Sequence, residues 1–187
     1  MQEKSGRPRQ LVFRGELGMT DPGTQWMVGM FFELGDRVLD QVEHLPEAVL
    51  QANPPNSYLS PAKVILHLVG TDMKRLPGVV GTFRTPAYAP EVARSQGVDF
   101  DAIPTQGIDV VSVLRSHLDF RRTHWQGPLT TAGLLDEPID LPYFETKRDL
   151  LGHLIWHWSF HSGHLGAVTL QAGYEYLWTS APKPVVG

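Results

Sequence analysis

Proline and glycine divide this chain of 187 residues into four segments long enough to form extended helices. Both residues interrupt α-helices. Proline lacks the amide proton, and glycine loses more backbone conformational entropy on folding than any other residue. They concentrate around four stretches, residues 21–24, 52–61, 78–107 and 133–145. The patterns between them predict four helices, over residues 24–45, 61–76, 108–125 and 147–172. Four long helices favour an all-α fold, a four-helix bundle.

The composition excludes several kinds of site and disfavours some classes of partner. It has no cysteine, which excludes disulfides, cysteine-ligated zinc and a cysteine nucleophile, so thiol chemistry would require a small-molecule thiol. The net charge is −4 and no Lys/Arg-rich run is present, which disfavours nucleic acid as a partner. No apolar run of about 18 residues predicts a membrane span, and the first residues lack the apolar centre of a signal peptide. We expect a cytoplasmic protein with one domain over residues 24–187, preceded by an N-terminal extension over residues 1–23.

Local signals mark the starts of two helices and the buried side of a third. Ser60 before Pro61 is typical of a helix N-cap, and Thr146 with Asp149 resembles a capping box. Gly35 weakens the first predicted helix slightly, as does Gly29. The apolar side of that helix has three- and four-residue spacing and comprises Trp26, Met27, Met30, Phe31, Leu34, Val38, Leu39, Val42 and Leu45.

Four of the eight histidines lie between residues 153 and 164 of the fourth predicted helix. At about 100° per residue, His157 and His161 share a stripe with aliphatic residues and should face the interior. Two imidazoles one turn apart can bind one metal ion, although core histidines satisfied by hydrogen bonds give the same pattern. The pairs His153/His157 and His161/His164 also have workable spacings. We expect the remaining histidines outside the second helix to be ordinary core or surface residues, namely His44, His117 and His124.

Two further features each allow two interpretations. The connection over residues 78–107 is long for a bundle, which is typical of a lid but also fits a passive surface loop. The side of the fourth helix opposite His157 carries four small residues, Gly152, Ser159, Gly163 and Gly166. They predict close packing on another helix, in the same chain or across a dimer, or they merely cost helix stability.

Two segments resemble the DinB-like superfamily, which includes mycothiol- and bacillithiol-dependent enzymes. They are LSPAKVILHLVGTDMKRL (59–76) and HLIWHWSFHSGHLGAVTLQAG (153–173), and they are similar to the second and fourth helices of that family. The order of helices and loops also fits, from about residue 24 onward. The resemblance therefore implies a DinB-like four-helix bundle over residues 24–187. The motifs of di-iron bundles, zinc proteases and nucleotide-binding loops are absent.

The resemblance implies that His67, His157 and His161 are the three ligands of one divalent metal ion. Spacing alone assigns His67 differently, because it shares a polar face with Lys63 and Lys74 and would be solvated. His157 stands where thiol-dependent members often carry glutamate, so the preferred metal can differ.

Three other positions of the motif can be compared with the family. Gly163 matches the family glycine, whereas Ser162 replaces a commoner arginine. His164 lies where many members carry glutamine and some carry histidine.

Three neutral imidazoles leave a coordination position for water or substrate and suit Zn, Ni or Fe(II). We expect a divalent-metal-dependent enzyme that acts on a small molecule as a thiol S-transferase, isomerase or hydrolase, with a low-molecular-weight thiol as a candidate cofactor. The alternative is a metal-binding stress-response dimer without catalysis, which a fourth ligand, His153 or His164, would favour. A homodimer is expected in both cases, and DNA binding is disfavoured by the acidic balance. Candidates for contact with the metal ligands or with substrate, or else surface residues, are Asp72, Tyr143, Arg121 and Arg122.

Overall fold

The computed structural model describes residues 2–5, 21–55, 59–81, 84–94, 99 and 102–177, and for residues 2–5 it describes the backbone alone. This part of the chain is mostly helical, as the sequence predicts. Its α-helices are α1 Pro22–Val42, α2 Glu47–Gln51, α3 Pro61–Arg75, α4 Pro77–Val80, α5 Ala89–Ala93, α6 Val110–Phe120, α7 Gln126–Leu129 and α8 Lys147–Gln171. Its strands are short, namely β1 Gln2–Ser5, β2 Pro138–Leu141, β3 Phe144–Thr146 and β4 Tyr174–Leu177.

All four predicted long helices are present, with ends that differ by a few residues. Helix α1 begins at Pro22 because the Asp21 carboxylate accepts hydrogen bonds from the backbone amides of Gly23 and Thr24, at 3.2 and 2.9 Å. The third predicted helix is interrupted, because α6 ends at Phe120 and a π-helical turn follows over Arg121–Trp125. Such turns break the helical periodicity locally and often occur at functional sites.

The predicted start signals of α3 and α8 are confirmed. The Ser60 hydroxyl accepts from the backbone amide of Lys63 at 3.3 Å. At the start of α8, the Thr146 hydroxyl accepts from the amide of Asp149 at 3.3 Å, and the Asp149 carboxylate accepts from the amide of Thr146 at 2.8 Å. This reciprocal pair is a capping box and it fixes the first turn of the histidine-bearing helix.

The four longest helices share one hydrophobic core. Helices α1 and α3 each pack on both α6 and α8. The predicted apolar side of α1 is largely buried, but Trp26 is 49% exposed, so its assignment to the core was wrong. The fully buried aliphatic and aromatic side chains of these helices include Val28, Phe31, Val38, Ile65, Leu68, Leu114, Leu154 and Trp158.

The strands form two small sheets at the ends of the helices. Strand β1 pairs in parallel with β4, which follows α8. Strands β2 and β3 form an antiparallel hairpin that leads directly into α8, and the ring of Phe144 lies 5.4 Å from the ring of His153. Among the described helices, none has the length and apolar character needed to cross a membrane.

The long connection over residues 78–107 is partly anchored in the core. It contains α5, which packs on α3, and both Tyr88 and Val92 are buried. Residues 82–83, 95–98 and 100–101 of this connection lie outside the described residues. In its described part, therefore, the connection includes a packed helix and is neither a passive loop throughout nor a free lid.

The small residues of α8 meet α1 at two of the four predicted positions. A Cβ atom added at Gly152 would lie 3.7 Å from the Met27 side chain, and one at Gly166 would lie 3.9 Å from the Gln41 side chain. Ser159 and Gly163 are exposed, so the predicted packing of these two residues on another helix is wrong within the chain.

Gly35 is required where α1 crosses α6. A Cβ atom at this position would lie 2.5 Å from a terminal methyl group of Leu118 and 2.8 Å from the guanidinium of Arg121. Both side chains are buried, so neither can move aside freely. The glycine therefore permits a close helix crossing, which the sequence pattern alone does not reveal.

We predict that Gly35→Ala destabilises the fold although alanine is the better helix former. Overpacking costs about 1–3 kcal/mol, which exceeds the gain of up to about 1 kcal/mol in helix propensity. Urea unfolding followed by circular dichroism should show a lower free energy of unfolding. The matched control is Gly163→Ala in α8, where nothing lies within 4 Å of the added Cβ, and this variant should be as stable as the wild type or more so. Equal stabilisation by both substitutions would contradict the role assigned to Gly35.

Candidate metal centre

Three histidines from two helices meet at one point between α3 and α8. The Nε2 atoms of His67 and His157 are 2.8 Å apart. The ring of His161 lies 5.0 Å from the ring of His67 and 4.6 Å from that of His157, measured between centroids. One nitrogen from each of the three rings lies within 4.8 Å of the others. The pairing of α3 with α8 thus brings together residues that are 90 or more positions apart in sequence.

The donor set and its spacing fit a divalent transition metal. Imidazole nitrogens bind Zn²⁺ at about 2.0–2.1 Å, so two ligand nitrogens can be no more than about 4.2 Å apart. A tetrahedral site places its ligand nitrogens about 3.4 Å apart, a value between the 2.8 Å that separates the Nε2 atoms of His67 and His157 and the 4.8 Å within which all three nitrogens lie, so shifts of less than about 1 Å in each ring would suffice. In addition, Nδ1 of His157 is buried without a hydrogen-bond partner. A buried nitrogen without a partner is costly, and a water could satisfy it; the nitrogen that faces His67, and is placed to bind an ion, is Nε2.

Burial keeps all three imidazoles neutral at neutral pH, which is the form that binds metals. Desolvation lowers the pKa of His67 to about 4, with a smaller contribution from the neighbouring His157. Desolvation also lowers the pKa of His157 to about 4, against an opposing contribution from Asp72. The pKa of His161 falls to about 3, first because of burial and then because of the other nearby histidines.

The other two histidines of α8 flank the group of three and are not part of it among the described residues. Nδ1 of His164 lies 3.4 Å from Nδ1 of His161. The ring of His153 stacks on that of His157, with 6.1 Å between centroids. Both are therefore placed to orient a ligand histidine, as neighbours of metal ligands commonly do.

The interpretation of His67 as a solvated residue was wrong. The residue is partly buried and its ring faces both His157 and His161. The spacing of polar residues on α3 gave the wrong prediction because this helix contacts α2, α5, α6 and α8 and has no broad solvent face. The aliphatic residues on nearly every side of this helix are fully buried: Val64, Ile65, Leu66, Leu68 and Val69.

The four candidates for substrate contact divide into two pairs. Tyr143 is fully exposed at the turn between β2 and β3, and Arg122 lies near the surface where it pairs with Asp36. Asp72 and Arg121 are completely buried, so the surface interpretation was wrong for both. Their carboxylate and guanidinium lie 3.6 Å apart within the helical core.

Sequence reasoning missed the importance of His117. It is fully buried, and its ring nitrogens contact the Tyr88 hydroxyl at 2.9 Å and the Asp72 carboxylate at 3.0 Å. These three residues come from three separate segments of the chain, so no local motif could have joined them. The expectation of an ordinary core histidine is correct as far as its burial and hydrogen bonding go.

We predict that the metal-free protein loses stability as the pH falls from about 6.5 towards 4. In the unfolded chain a histidine has a pKa near 6.5. In the folded site the pKa of each of the three histidines is about 4 or below, so they are protonated only at a lower pH. The stabilisation is therefore complete above pH 6.5 and declines with a slope of at most about 1.4 kcal/mol per pH unit for each such histidine. Urea unfolding at pH 7.5, 5.5 and 4.5 measures this decline.

His161→Gln should make the decline shallower, because one of the depressed groups is removed. His124→Gln is the matched control, since His124 is exposed and its loss should leave the wild-type decline unchanged. A wild-type free energy of unfolding that stays constant from pH 7.5 to 4.5 would show that these imidazoles are not held neutral by burial.

No protein-family model matches the chain, and no curated protein matches it.

Proposed function

We propose that this chain is a DinB-like metalloenzyme in which His67, His157 and His161 bind one divalent metal ion. The observation that carries the proposal is the convergence of three neutral imidazoles from α3 and α8, with one nitrogen of each within 4.8 Å of the others. Imidazole ligands suit Zn, Ni or Fe(II). The two sequence segments that resemble the DinB-like superfamily contain these same three histidines.

The proposed architecture is a DinB-like four-helix bundle made of α1, α3, α6 and α8. Its support is the pairwise packing, in which α1 and α3 each contact both α6 and α8. In helix bundles, metal sites are built from side chains on facing helices. The candidate ligands fit this rule, because His67 comes from α3 and the other two from α8.

A site with three histidine ligands favours catalysis over a closed structural role. Structural zinc sites hold four protein ligands, whereas catalytic sites hold three and keep a position for water or substrate. Within the described residues the group contains three histidines, and neither His153 nor His164 completes it. His67 is only partly buried, so solvent reaches the group from its side.

We propose that the enzyme acts on a small molecule as a thiol S-transferase, an isomerase or a hydrolase. A bound divalent ion would supply a water or thiol with a lowered pKa as nucleophile. The three histidines would hold the ion and exclude a proton from their own nitrogens down to about pH 4. Since the chain has no cysteine, a thiol nucleophile would come from a low-molecular-weight cofactor.

The second candidate is a metal-binding homodimer without catalysis. The observation that favours it is an exposed aromatic surface on α8, where Trp156 is 60% exposed and its ring stacks on that of Phe160 at 5.6 Å. Contiguous exposed apolar surface is typical of interaction sites. In that case the ion would stabilise the helices and the aromatic surface would meet a second copy.

We predict that the purified protein contains about one equivalent of metal and that this metal is needed for activity. Elemental analysis measures the first part. His67→Ala should lose most of the metal, because one of three ligands is removed, whereas His153→Ala should retain it. A screen of electrophilic small molecules with low-molecular-weight thiols measures the second part. Activity should disappear on chelation and return when the metal is restored.

Retention of metal by His67→Ala would contradict the ligand assignment. Full metal binding with no metal-dependent conversion of any tested thiol, ester or isomerisable substrate would favour the non-catalytic dimer. Size-exclusion chromatography with light scattering then tests the dimer, which Trp156→Ser should disrupt.

A further inference from the structure

A second polar cluster lies in the core beside the candidate metal centre, and it is organised around the carboxylate of Asp72. The Trp158 indole donates to Oδ1 of Asp72 at 2.9 Å. Nε2 of His117 lies 3.0 Å from Oδ2, and the Arg121 guanidinium lies 3.6 Å from the same oxygen. All four side chains are completely buried. A single carboxylate on α3 is thus held by α8, by α6 and by the π-helical turn that follows α6.

The hydrogen bonds of this cluster determine which ring nitrogen of His117 carries the proton. They also extend to a further segment of the chain, the one just before α5. A carboxylate can only accept, so Nε2 of His117 carries the proton and donates to Asp72. Nδ1 then accepts from the Tyr88 hydroxyl at 2.9 Å, just before α5. Burial lowers the pKa of His117, which keeps this imidazole neutral. Every member of the chain Tyr88, His117, Asp72 therefore has a defined role as donor or acceptor.

Burying the charged groups of this cluster in the core has a large cost in free energy. Burying charged groups costs several kcal/mol for each ion, and well-packed apolar residues in the same place are often as stable or more so. Nε and Nη1 of Arg121 also remain without hydrogen bonds, although its guanidinium stacks 3.6 Å from the ring centroid of Phe31. Buried polar networks do, however, impose one relative position on the elements that they join. A contribution to stability alone is thus a weak explanation for the buried cluster. A role in fixing the relative position of the helices that it joins is the stronger one.

The position of the cluster couples it to the candidate ligands. Asp72 follows His67 by five residues on α3, which is about 7.5 Å along the helix axis. Trp158 is the residue after His157 on α8. The hydrogen bond from Trp158 to Asp72 therefore joins the same two helices that carry the three histidines, about one and a half turns from His67 along α3 and directly beside His157 on α8.

We propose that Asp72 is a positioning residue for the metal centre: by accepting from Trp158 and His117, it fixes α3 against α8 and so sets the spacing of His67 from His157 and His161. This inference rests on the proposed function, because it assigns Asp72 a role in the same site. Neighbours that orient ligands typically change metal affinity by about 10- to 100-fold when they are removed.

The test uses two tryptophans of the same core. Trp158→Phe removes the indole donor to Asp72 but keeps an aromatic ring. Trp125→Phe makes the same substitution at an equally buried tryptophan that also contacts His117, at 5.4 Å between centroids. Co²⁺ titration of the full chain, followed by its visible absorption, gives both the dissociation constant and the coordination spectrum. Urea unfolding of each variant measures the loss of stability in parallel.

We expect Trp158→Phe to bind Co²⁺ about tenfold more weakly, with an altered absorption spectrum. Trp125→Phe should remain within about twofold of the wild-type dissociation constant. If Trp158→Phe does not fold, Asp72→Asn replaces it, because asparagine keeps the shape but turns an amide towards His117 and Arg121, and the same loss of affinity is expected.

Three results would overturn the inference, and they differ in what they say about the metal centre. Wild-type affinity in Trp158→Phe, or an equal loss in both tryptophan variants, removes the positioning role and leaves the metal site standing. Absence of Co²⁺ binding by the wild-type protein refutes the proposed function and the inference with it.

Discussion

The packing of α3 against α8 is the contact on which the rest of the structure depends. It places His67 opposite His157 and His161, and about one and a half turns further along α3 it places Asp72 against Trp158, the residue after His157. The two helices are far apart in sequence, and their ends are set by separate local signals, Ser60 for α3 and the Thr146/Asp149 capping box for α8. A few hydrogen bonds at those ends thus determine which side chains can meet at the centre.

The electrostatics of this contact divide it into two zones. At the histidine group, burial keeps the imidazoles neutral, so their lone pairs are available to a cation. At the Asp72 cluster, charge is buried but compensated by Arg121 and by two hydrogen-bond donors. A candidate ion site and a paired set of buried charges therefore lie side by side in the same interface. In the proposed function, the histidine group binds the ion and the Asp72 cluster positions the two helices.

The sequence predicts local structure well here and long-range contacts poorly. Helix starts at Ser60 and Thr146, and the inward direction of His157 and His161, follow from short patterns that the structure bears out. The partial burial of His67 does not follow from such a pattern, because α3 contacts four other helices and has no broad solvent face to reveal its orientation. The Asp72 cluster escapes prediction for another reason. Its members come from α3, α6, α8 and the segment before α5, and only the tertiary fold joins them.

Helix α8 shows a further limit of pattern reading. Its exposed side carries Trp156 and Phe160 while its buried side carries histidines among aliphatic residues, so the aliphatic stripe identifies the core side correctly whereas the two large aromatic residues point to the opposite side.

Anomalous X-ray diffraction at the zinc edge, from crystals of the Zn²⁺-loaded protein, tests the central claim most directly. The account predicts one strong peak at about 2.0–2.1 Å from a ring nitrogen of each of His67, His157 and His161. A strongest peak bound elsewhere, or a ring of His67 that lies beyond bonding distance of the ion held by α8, would contradict it.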